Sequence, residues 1–371
     1  MTSEVVTAEG AAAPVISIDR PYRSSWADAI VAALDRMPGP TWLAYIGLVG
    51  IGAALIVAEG VTHRLGLAAL SPTYFTYLFF YIFPLAAYHY LATGARAAWD
   101  AFRPATALDE TTAARLRLEL STTPFWPTAI IWIVTATANV ASSVAYPEAT
   151  DLADQPPAYF LLRVVSESLW VAPISFVLVY LVVRQLRLIA RMHREVVRVD
   201  LLRPVPLHAM SKLTARASLA LVVFGVFSGL PLPGVSETAW LATVAFFTAP
   251  FIVLSSIVFI APLRGMSRLL VEEKTRLLDA IAARIHSTTR ALHRVVDAET
   301  ANLADIEGSR AAQTRIDGLN KALASLLQER DFVRRLPTWP WDGSTLRAVA
   351  SAIALPIALF LITRLLERLI T

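Results

Sequence analysis

The chain has 371 residues, of which 56% are hydrophobic and only 17% are charged, and its mean hydropathy is +0.55. This balance excludes a soluble globular domain and places the chain in a bilayer. The sequence contains no cysteine, which excludes disulfides, thiolate metal ligands and cysteine nucleophiles, and its net charge of +4 indicates basic cytosolic loops and no nucleic-acid partner.

Residues 1–24 predict a disordered N-terminal tail. They are rich in Ala, Thr, Gly and Pro, and they lack the basic start and the apolar centre of a signal peptide. A short helix follows, in which Trp26, Ile30 and Leu34 share one face and Ser25 is a candidate N-cap. We expect this helix to lie in the membrane interface.

Residues 25–262 predict a membrane bundle, because a helix needs about 20 apolar residues to cross about 30 Å of hydrocarbon. We predict six spans, at about 42–61, 72–93, 124–146, 159–183, 217–232 and 237–262. The first two spans are joined by a short connection, which predicts antiparallel neighbours. The polar interval between the second and third spans predicts one surface helix.

Lys and Arg are distributed unequally between the loops. One side receives three before the first span, four in 94–123, eight in the basic linker 184–216 and thirteen in 263–345. The opposite loops contain Arg64 and Arg163 at most. Since basic loops stay on the cytosolic side, we predict a multi-pass protein of the cell (inner) membrane with its N-terminus and its charged helical module in the cytosol.

Five arginines follow the fourth span at intervals of three and four residues, which places them on one helical stripe. They are Arg184, Arg187, Arg191, Arg194 and Arg198. The stripe is typical of a contact with anionic lipid headgroups, an acidic partner or a phosphorylated ligand. Ordinary charge that sets the topology is the competing interpretation. A voltage sensor is disfavoured because the arginines follow the apolar run and are not interleaved through it.

Ionisable side chains inside a bilayer are costly and are therefore candidate sites. Arg163 and Glu167 are four residues apart in the fourth span and can pair on one helical face. Asn139 lies in the third span, and Glu59 and His63 lie four apart at the end of the first. These residues predict a polar pocket near the outer leaflet. The alternative is a set of local ion pairs and helix-packing contacts.

Residues 263–336 predict a cytosolic helical hairpin, which is antiparallel because the chain must return to the membrane. Its polar and apolar residues follow the three–four spacing of a coiled-coil seam. The seam residues are Ile285, Thr288, Leu292, Val295, Glu299, Asn302 and Ile306 in the first arm, and Ile316, Leu319, Leu323 and Leu326 in the second. We predict the break between the arms at 307–309 and expect the hairpin to bind a cytosolic protein or a second copy of this chain.

Residues 337–371 predict a membrane re-entry joint and a last span. The joint contains two prolines that keep it extended, and Trp339 and Trp341 are suited to the headgroup layer. An aromatic ligand site made by the two tryptophans is the alternative. The apolar run at about 346–366 is short, so it is either a seventh span or a re-entrant segment.

Together these patterns predict an all-α polytopic membrane bundle of six to seven spans with a cytosolic antiparallel coiled-coil-like hairpin. The sequence contains no phosphate-binding loop, zinc helix, nucleophile elbow or dinucleotide turn. We therefore expect no catalytic, cofactor-binding or metal-binding residues. The predicted function is a non-enzymatic membrane sensor or scaffold, with an ion or small-solute channel or transporter as the alternative.

Overall fold

A computed structural model describes residues 21–66, 77–106, 108–147, 152–195, 205–228, 248–301 and 306–336, with four single positions between 347 and 354. This part of the chain contains no β-strand and forms ten α-helices. They are α1 (Trp26–Arg36), α2 (Thr41–Thr62), α3 (Tyr77–Phe102), α4 (Glu110–Ser121), α5 (Phe125–Ala145), α6 (Pro157–Ser166), α7 (Ala172–Glu195), α8 (Val205–Ser228), α9 (Ala249–Ala301) and α10 (Ile306–Arg335). A π-helical segment, Glu167–Val171, joins α6 to α7.

Five helical stretches within the described residues are long and apolar enough to cross a membrane. They are Thr41–Thr62, Tyr77–Ala105, Phe125–Ala145, Pro157–Met192 and Ala209–Ser228. Each overlaps one of the first five predicted spans, so the predicted all-helical membrane class is confirmed. Of the sixth, the structure describes only the C-terminal part, where Ala249–Ile260 is apolar but shorter. The seventh lies almost entirely outside the described residues, and a count of six to seven stays a prediction.

Several helices extend well beyond the predicted spans. The third helix continues to Phe102, α7 continues to Glu195, and α8 begins at Val205. Hydropathy marks where a helix leaves the hydrocarbon, whereas a helix ends where its backbone hydrogen bonds are capped or broken. The extensions are rich in Ala, Leu and Arg, which favour helix equally well in water.

Helix α1 is predicted correctly, and it is also built into the bundle. Its N-cap Ser25 accepts a hydrogen bond from the Asp28 amide, and the Asp28 carboxylate accepts one from the Ser25 amide. Its apolar face, with Ala27, Val31 and Leu34, is buried in the main hydrophobic core. The helix is therefore a packed part of the bundle as well as an amphipathic one.

Close helix contacts occur where glycine or serine replaces a larger side chain. A Cβ atom on Gly52 of α2 would lie 2.7 Å from Leu78 Cδ1, and one on Gly225 of α8 would lie 2.8 Å from Phe251 Cβ. The buried hydroxyls of Ser218 and Ser255 lie 2.8 Å apart between α8 and α9. Small residues at such contacts are how helices associate in a bilayer, where apolar burial supplies little driving force.

Helix α9 has 53 residues and contributes Val258 and Phe259 to the buried core before it continues into the charged region. The C-terminal end of α10 returns to α9, where the Lys274 ammonium donates hydrogen bonds to the carbonyls of Arg334 at 2.7 Å and Leu336 at 2.8 Å. The two helices therefore pack against each other in an antiparallel arrangement.

The predicted break at 307–309 is wrong, because these residues are helical within α10, and α9 already ends at Ala301. A single glycine in a helix costs only about 1 kcal/mol relative to alanine, so Gly308 does not suffice to end one. The predicted seam residues whose side chains are described are half-buried: Ile285, Thr288, Leu292, Val295, Ile316, Leu319, Leu323 and Leu326. Coiled-coil packing itself stays a prediction.

Candidate functional site

A buried ion pair lies near one end of the bundle, which we call the Glu59 end. Arg163 Nη1 of α6 lies 3.0 Å from Glu59 Oε2 of α2, and the side chain of Glu59 is fully buried. The Tyr81 hydroxyl of α3 lies 3.0 Å from Glu59 Oε1, and the Ser166 hydroxyl lies 3.1 Å from the same oxygen. A buried charge persists only when it is paired and hydrogen-bonded, and Glu59 satisfies both conditions through three helices.

Arg163 is held by a second carboxylate and an aromatic ring. Its Nη2 lies 2.7 Å from Glu167 Oε1, and its guanidinium carbon lies 4.0 Å from the centroid of the Tyr77 ring. The structure thus brings together the Arg163 and Glu167 pair that the sequence singles out. Two carboxylates around one guanidinium leave an excess negative charge when both are ionised. Whether the group is a functional site stays a prediction.

Asn139 lies on α5, which packs against the π-helical segment next to this ion pair. Its Nδ2 donates to the Ser168 hydroxyl at 3.0 Å. Ser168 follows Glu167 in the π-helical segment, so Asn139 connects α5 to the segment that carries the half-buried carboxylate of Glu167. Asn139 therefore positions the segment that bears Glu167.

A small cavity of about 70 Å³ opens beside the ion pair. Its walls are Tyr77, Phe80, Tyr81, Arg163, Glu167 and Val171. A cavity of this volume has room for a few water molecules. The π-helical segment supplies one wall, and such segments occur frequently at functional sites because they displace side chains from regular helical positions.

Aromatic rings connect this cavity to the start of α9. The Phe80 ring, which lines the cavity, lies 5.9 Å from the Phe224 ring of α8. The Phe224 ring lies in turn 4.9 Å from the Phe251 ring of α9. Phe79 and Phe227 stack at 3.9 Å beside them. The cavity wall and α9 are therefore linked by rings in direct contact.

Glu59 is the main residue whose role the sequence does not predict. Sequence spacing pairs it with His63, and the structure gives it Arg163 instead, 104 positions away. His63 lies next to it, with its ring 5.0 Å from the Tyr159 ring and its Nε2 2.8 Å from the Gln155 amide. One signal was available: Gly52, Ile56 and Glu59 recur at helical spacing in an otherwise large and apolar span, and this stripe is buried.

The opposite, Asp28 end of the bundle is held by a second polar cluster. The Tyr88 hydroxyl of α3 lies 2.7 Å from Asp28 Oδ1 and 2.7 Å from the Thr123 hydroxyl. The Thr123 amide donates to Asp28 Oδ2 at 3.0 Å. Asp28 thus joins α1, α3 and the start of α5.

The first arginine of the predicted stripe belongs to this end. Arg184 Nη2 donates to the Tyr22 hydroxyl at 3.0 Å, and Arg184 Nε donates to the Glu119 carbonyl at 3.3 Å. Burial raises the pKa of Tyr22, so it remains a neutral phenol under these contacts. The Arg184 guanidinium is therefore already hydrogen-bonded within the protein, which reduces its availability for an external anion.

Of the other four arginines of the stripe, the structure describes the side chains of two. Arg187 and Arg191 are exposed on α7. Arg194 lies on the same helix, but the structure does not describe its side chain, and Arg198 lies outside the described residues. Trp339 and Trp341, the predicted membrane anchors, also lie outside them. Contact of the stripe with lipid or a partner stays a prediction.

Within the described residues, no group of three or more His, Asp or Glu side chains is arranged to hold a metal ion. Comparison with protein-family models, with curated proteins and with solved structures finds no match. The geometry of the Glu59 end, its cavity and its contacts with α9 are accordingly the basis for a functional proposal.

Proposed function

We propose that the protein is a non-enzymatic sensor or scaffold of the cell membrane, in which the bundle is coupled to a cytosolic coiled-coil-like hairpin made by α9 and α10. One observation carries the proposal. The ring contacts Phe80–Phe224–Phe251 lead from the polar cavity to α9, and α9 continues as a single helix from the buried core to Ala301.

A continuous helix of 53 residues gives a displacement at one end a path to the other. Coupling between distant sites requires an element that both sites bias, and α9 contacts both the bundle and α10. In this proposal the occupancy or charge of the cavity changes the packing of Phe251, and the hairpin presents the result to a partner. The partner is a cytosolic protein or a second copy of the chain.

Hydrogen exchange tests this coupling in the full chain in nanodiscs. Glu167→Gln removes the cavity-facing charge and keeps the side-chain shape. We expect it to change amide exchange in α9 beyond Lys274 and in α10. Asp154→Asn is the matched control, because Asp154 is exposed and has a φ of 57°, a conformation that asparagine adopts readily.

Identical exchange of the hairpin in the parent and in Glu167→Gln would contradict the proposal. A further variant, Phe224→Leu, separates the pathway from a general loss of stability. It keeps the core apolar but removes the ring between Phe80 and Phe251. In the Glu167→Gln background we expect Phe224→Leu to reduce the change in hairpin exchange while the local change around the cavity remains.

A channel or transporter is the second candidate, and the buried charges beside a cavity favour it. In that case Arg163 and Glu167 line a pathway and the hairpin assembles or gates it. The cavity volume of about 70 Å³ is well below the roughly 300 Å³ of ordinary small-molecule sites, so only water or a small ion would fit. Solute or ion flux into liposomes that disappears in Glu167→Ala would favour this function over a sensor.

A further inference from the structure

Helices α3 and α8 form a shallow notch that holds a guanidinium group. Gly94 of α3 has no side chain there, and a Cβ atom would lie 3.1 Å from Arg216 Nη1 and 3.9 Å from Leu213 Cδ1. The guanidinium of Arg216 also lies 5.2 Å from the centroid of the Tyr90 ring, one turn earlier on α3. The glycine thus lets the arginine lie against the backbone of α3. We call Tyr90, Gly94, Lys212 and Arg216 the Arg216 notch.

The notch carries positive charge without a carboxylate partner among the residues that the structure describes. Arg216 and Lys212 are both exposed and lie one helical turn apart on α8. Tyr90 is 55% exposed, so much of this residue is accessible from outside. Elsewhere in the bundle the arginines near the core have protein acceptors: Arg163 has two carboxylates, and Arg184 has a phenol and a carbonyl.

Contacts along α3 place this notch at the level of an aromatic belt. The Tyr45 hydroxyl of α2 lies 3.0 Å from His89 Nδ1, which sets the first turn of α2 beside Tyr90. Trp42, in that first turn, is 59% exposed. Exposed tryptophan and tyrosine side chains at one level of a bundle are typical of the headgroup layer.

The start of α5 lies at the same level. The Tyr88 hydroxyl contacts the Thr123 hydroxyl at 2.7 Å, and Trp126, three residues later, is 74% exposed. Tryptophans on α2 and α5 and a tyrosine on α3 therefore surround this end of the bundle. The Arg216 notch faces outward within one helical turn of Tyr90.

We propose that the Arg216 notch binds the phosphate of an anionic lipid headgroup. The guanidinium supplies paired donors that match two phosphate oxygens, the Lys212 ammonium adds a second positive charge, and the Tyr90 hydroxyl donates a hydrogen bond. A membrane lipid is the source of the phosphate because the notch opens at the belt level, where lipid headgroups lie. This site is separate from the predicted arginine stripe, and it does not depend on the proposed sensor function.

Native mass spectrometry of the full chain in a neutral detergent tests the proposal. Phosphatidylglycerol is titrated against phosphatidylcholine with the same acyl chains, and inorganic phosphate serves as a soluble competitor. We expect selective phosphatidylglycerol binding by the parent protein. Arg216→Gln should weaken it about fivefold or more, since each basic residue near anionic lipid contributes a factor of about five.

Arg36→Gln is the matched control. Arg36 is an exposed arginine of α1 beside Asp35, and the same charge is removed. We expect this variant to bind phosphatidylglycerol as the parent does. Gly94→Val provides a second test that keeps every charge: its side chain occupies the position of the guanidinium, so we expect it to weaken phosphatidylglycerol binding as well.

Three results would overturn the proposal. One is unchanged phosphatidylglycerol binding in Arg216→Gln and Gly94→Val, which would show that Arg216 extends into water and does not bind the lipid phosphate. Another is an equal loss in Arg36→Gln, which would indicate a general charge effect. The third is displacement of the lipid by equimolar inorganic phosphate. If Arg216→Gln does not purify in a folded state, Arg216→Lys, which keeps the charge but loses the paired donors, is compared in its place.

Discussion

Arg163 is the residue on which the Glu59 end depends. Only 7% of its surface is exposed, and it contacts Glu59, Glu167 and the Tyr77 ring at once. Removing one member of a buried ion pair leaves an uncompensated charge, which is more costly than removing both members. The pairing therefore fixes α2 against α6 and the π-helical segment.

We predict that Arg163→Met lowers the free energy of unfolding by about 3–5 kcal/mol, because it leaves the fully buried carboxylate of Glu59 without its cation. The double variant Glu59→Gln, Arg163→Met removes both charges and should recover most of this loss. Thermal and detergent-induced unfolding of the purified chain measure both effects. Equal instability of the single and double variants would show that packing, and not charge, makes Arg163 important.

The sequence predicts part of this site. Arg163 and Glu167 are adjacent on one helical face, and a spacing of four residues is sufficient to pair them. Glu59 and Tyr81 come from other helices, and no local pattern states which helix faces which. The same holds for Arg184, whose contact with Tyr22 joins residues 162 positions apart. Long-range pairing of polar groups depends on the bundle arrangement, which a single sequence does not encode locally.

At the scale of helices, the contact between α8 and α9 joins the bundle to the helix that continues to α10. Gly225 permits this contact, because a Cβ atom there would meet the Phe251 Cβ, an atom fixed to the backbone. Ser218 and Ser255 add a buried hydrogen bond further along the same interface. Helix α9 is thus fixed in the bundle at its start.

We predict that Gly225→Ala forces α8 and α9 apart and lowers the free energy of unfolding by about 1–3 kcal/mol, as overpacking does in other well-packed cores. Gly50→Ala is the control, since nothing lies within 4 Å of a Cβ atom at that position of α2. Alanine favours helix over glycine, so the control should be unchanged or slightly more stable. Equal stability of the two variants would contradict the close contact.

Helix positions are predicted better than helix ends. Apolar runs identify α2 and α5 almost to the residue, because each helix ends where its apolar run ends. The break between α9 and α10 is predicted at 307–309, but these residues are helical, because a single glycine does not suffice to end a helix. The π-helical segment Glu167–Val171 has no recognisable sequence signal, since its residues favour an ordinary helix equally well.

At the scale of the whole molecule, the proposed sensor requires the Glu59 end and the hairpin to lie on opposite sides of the membrane. The basic residues favour a cytosolic hairpin, and the Glu59 end lies at the far end of α2 from the Tyr45–His89 contact. The chain contains no cysteine, so single cysteines can be introduced without first removing others.

The most direct test is side-specific labelling of two single-cysteine variants in intact cells and in inverted membrane vesicles. Arg64→Cys reports the Glu59 end, and Asp317→Cys reports α10; both positions are exposed. We predict that a membrane-impermeant maleimide labels Arg64→Cys only in intact cells whose outer face is accessible, and Asp317→Cys only in inverted vesicles. Labelling of both cysteines from the same side would contradict the coupling of an outer polar site to a cytosolic hairpin.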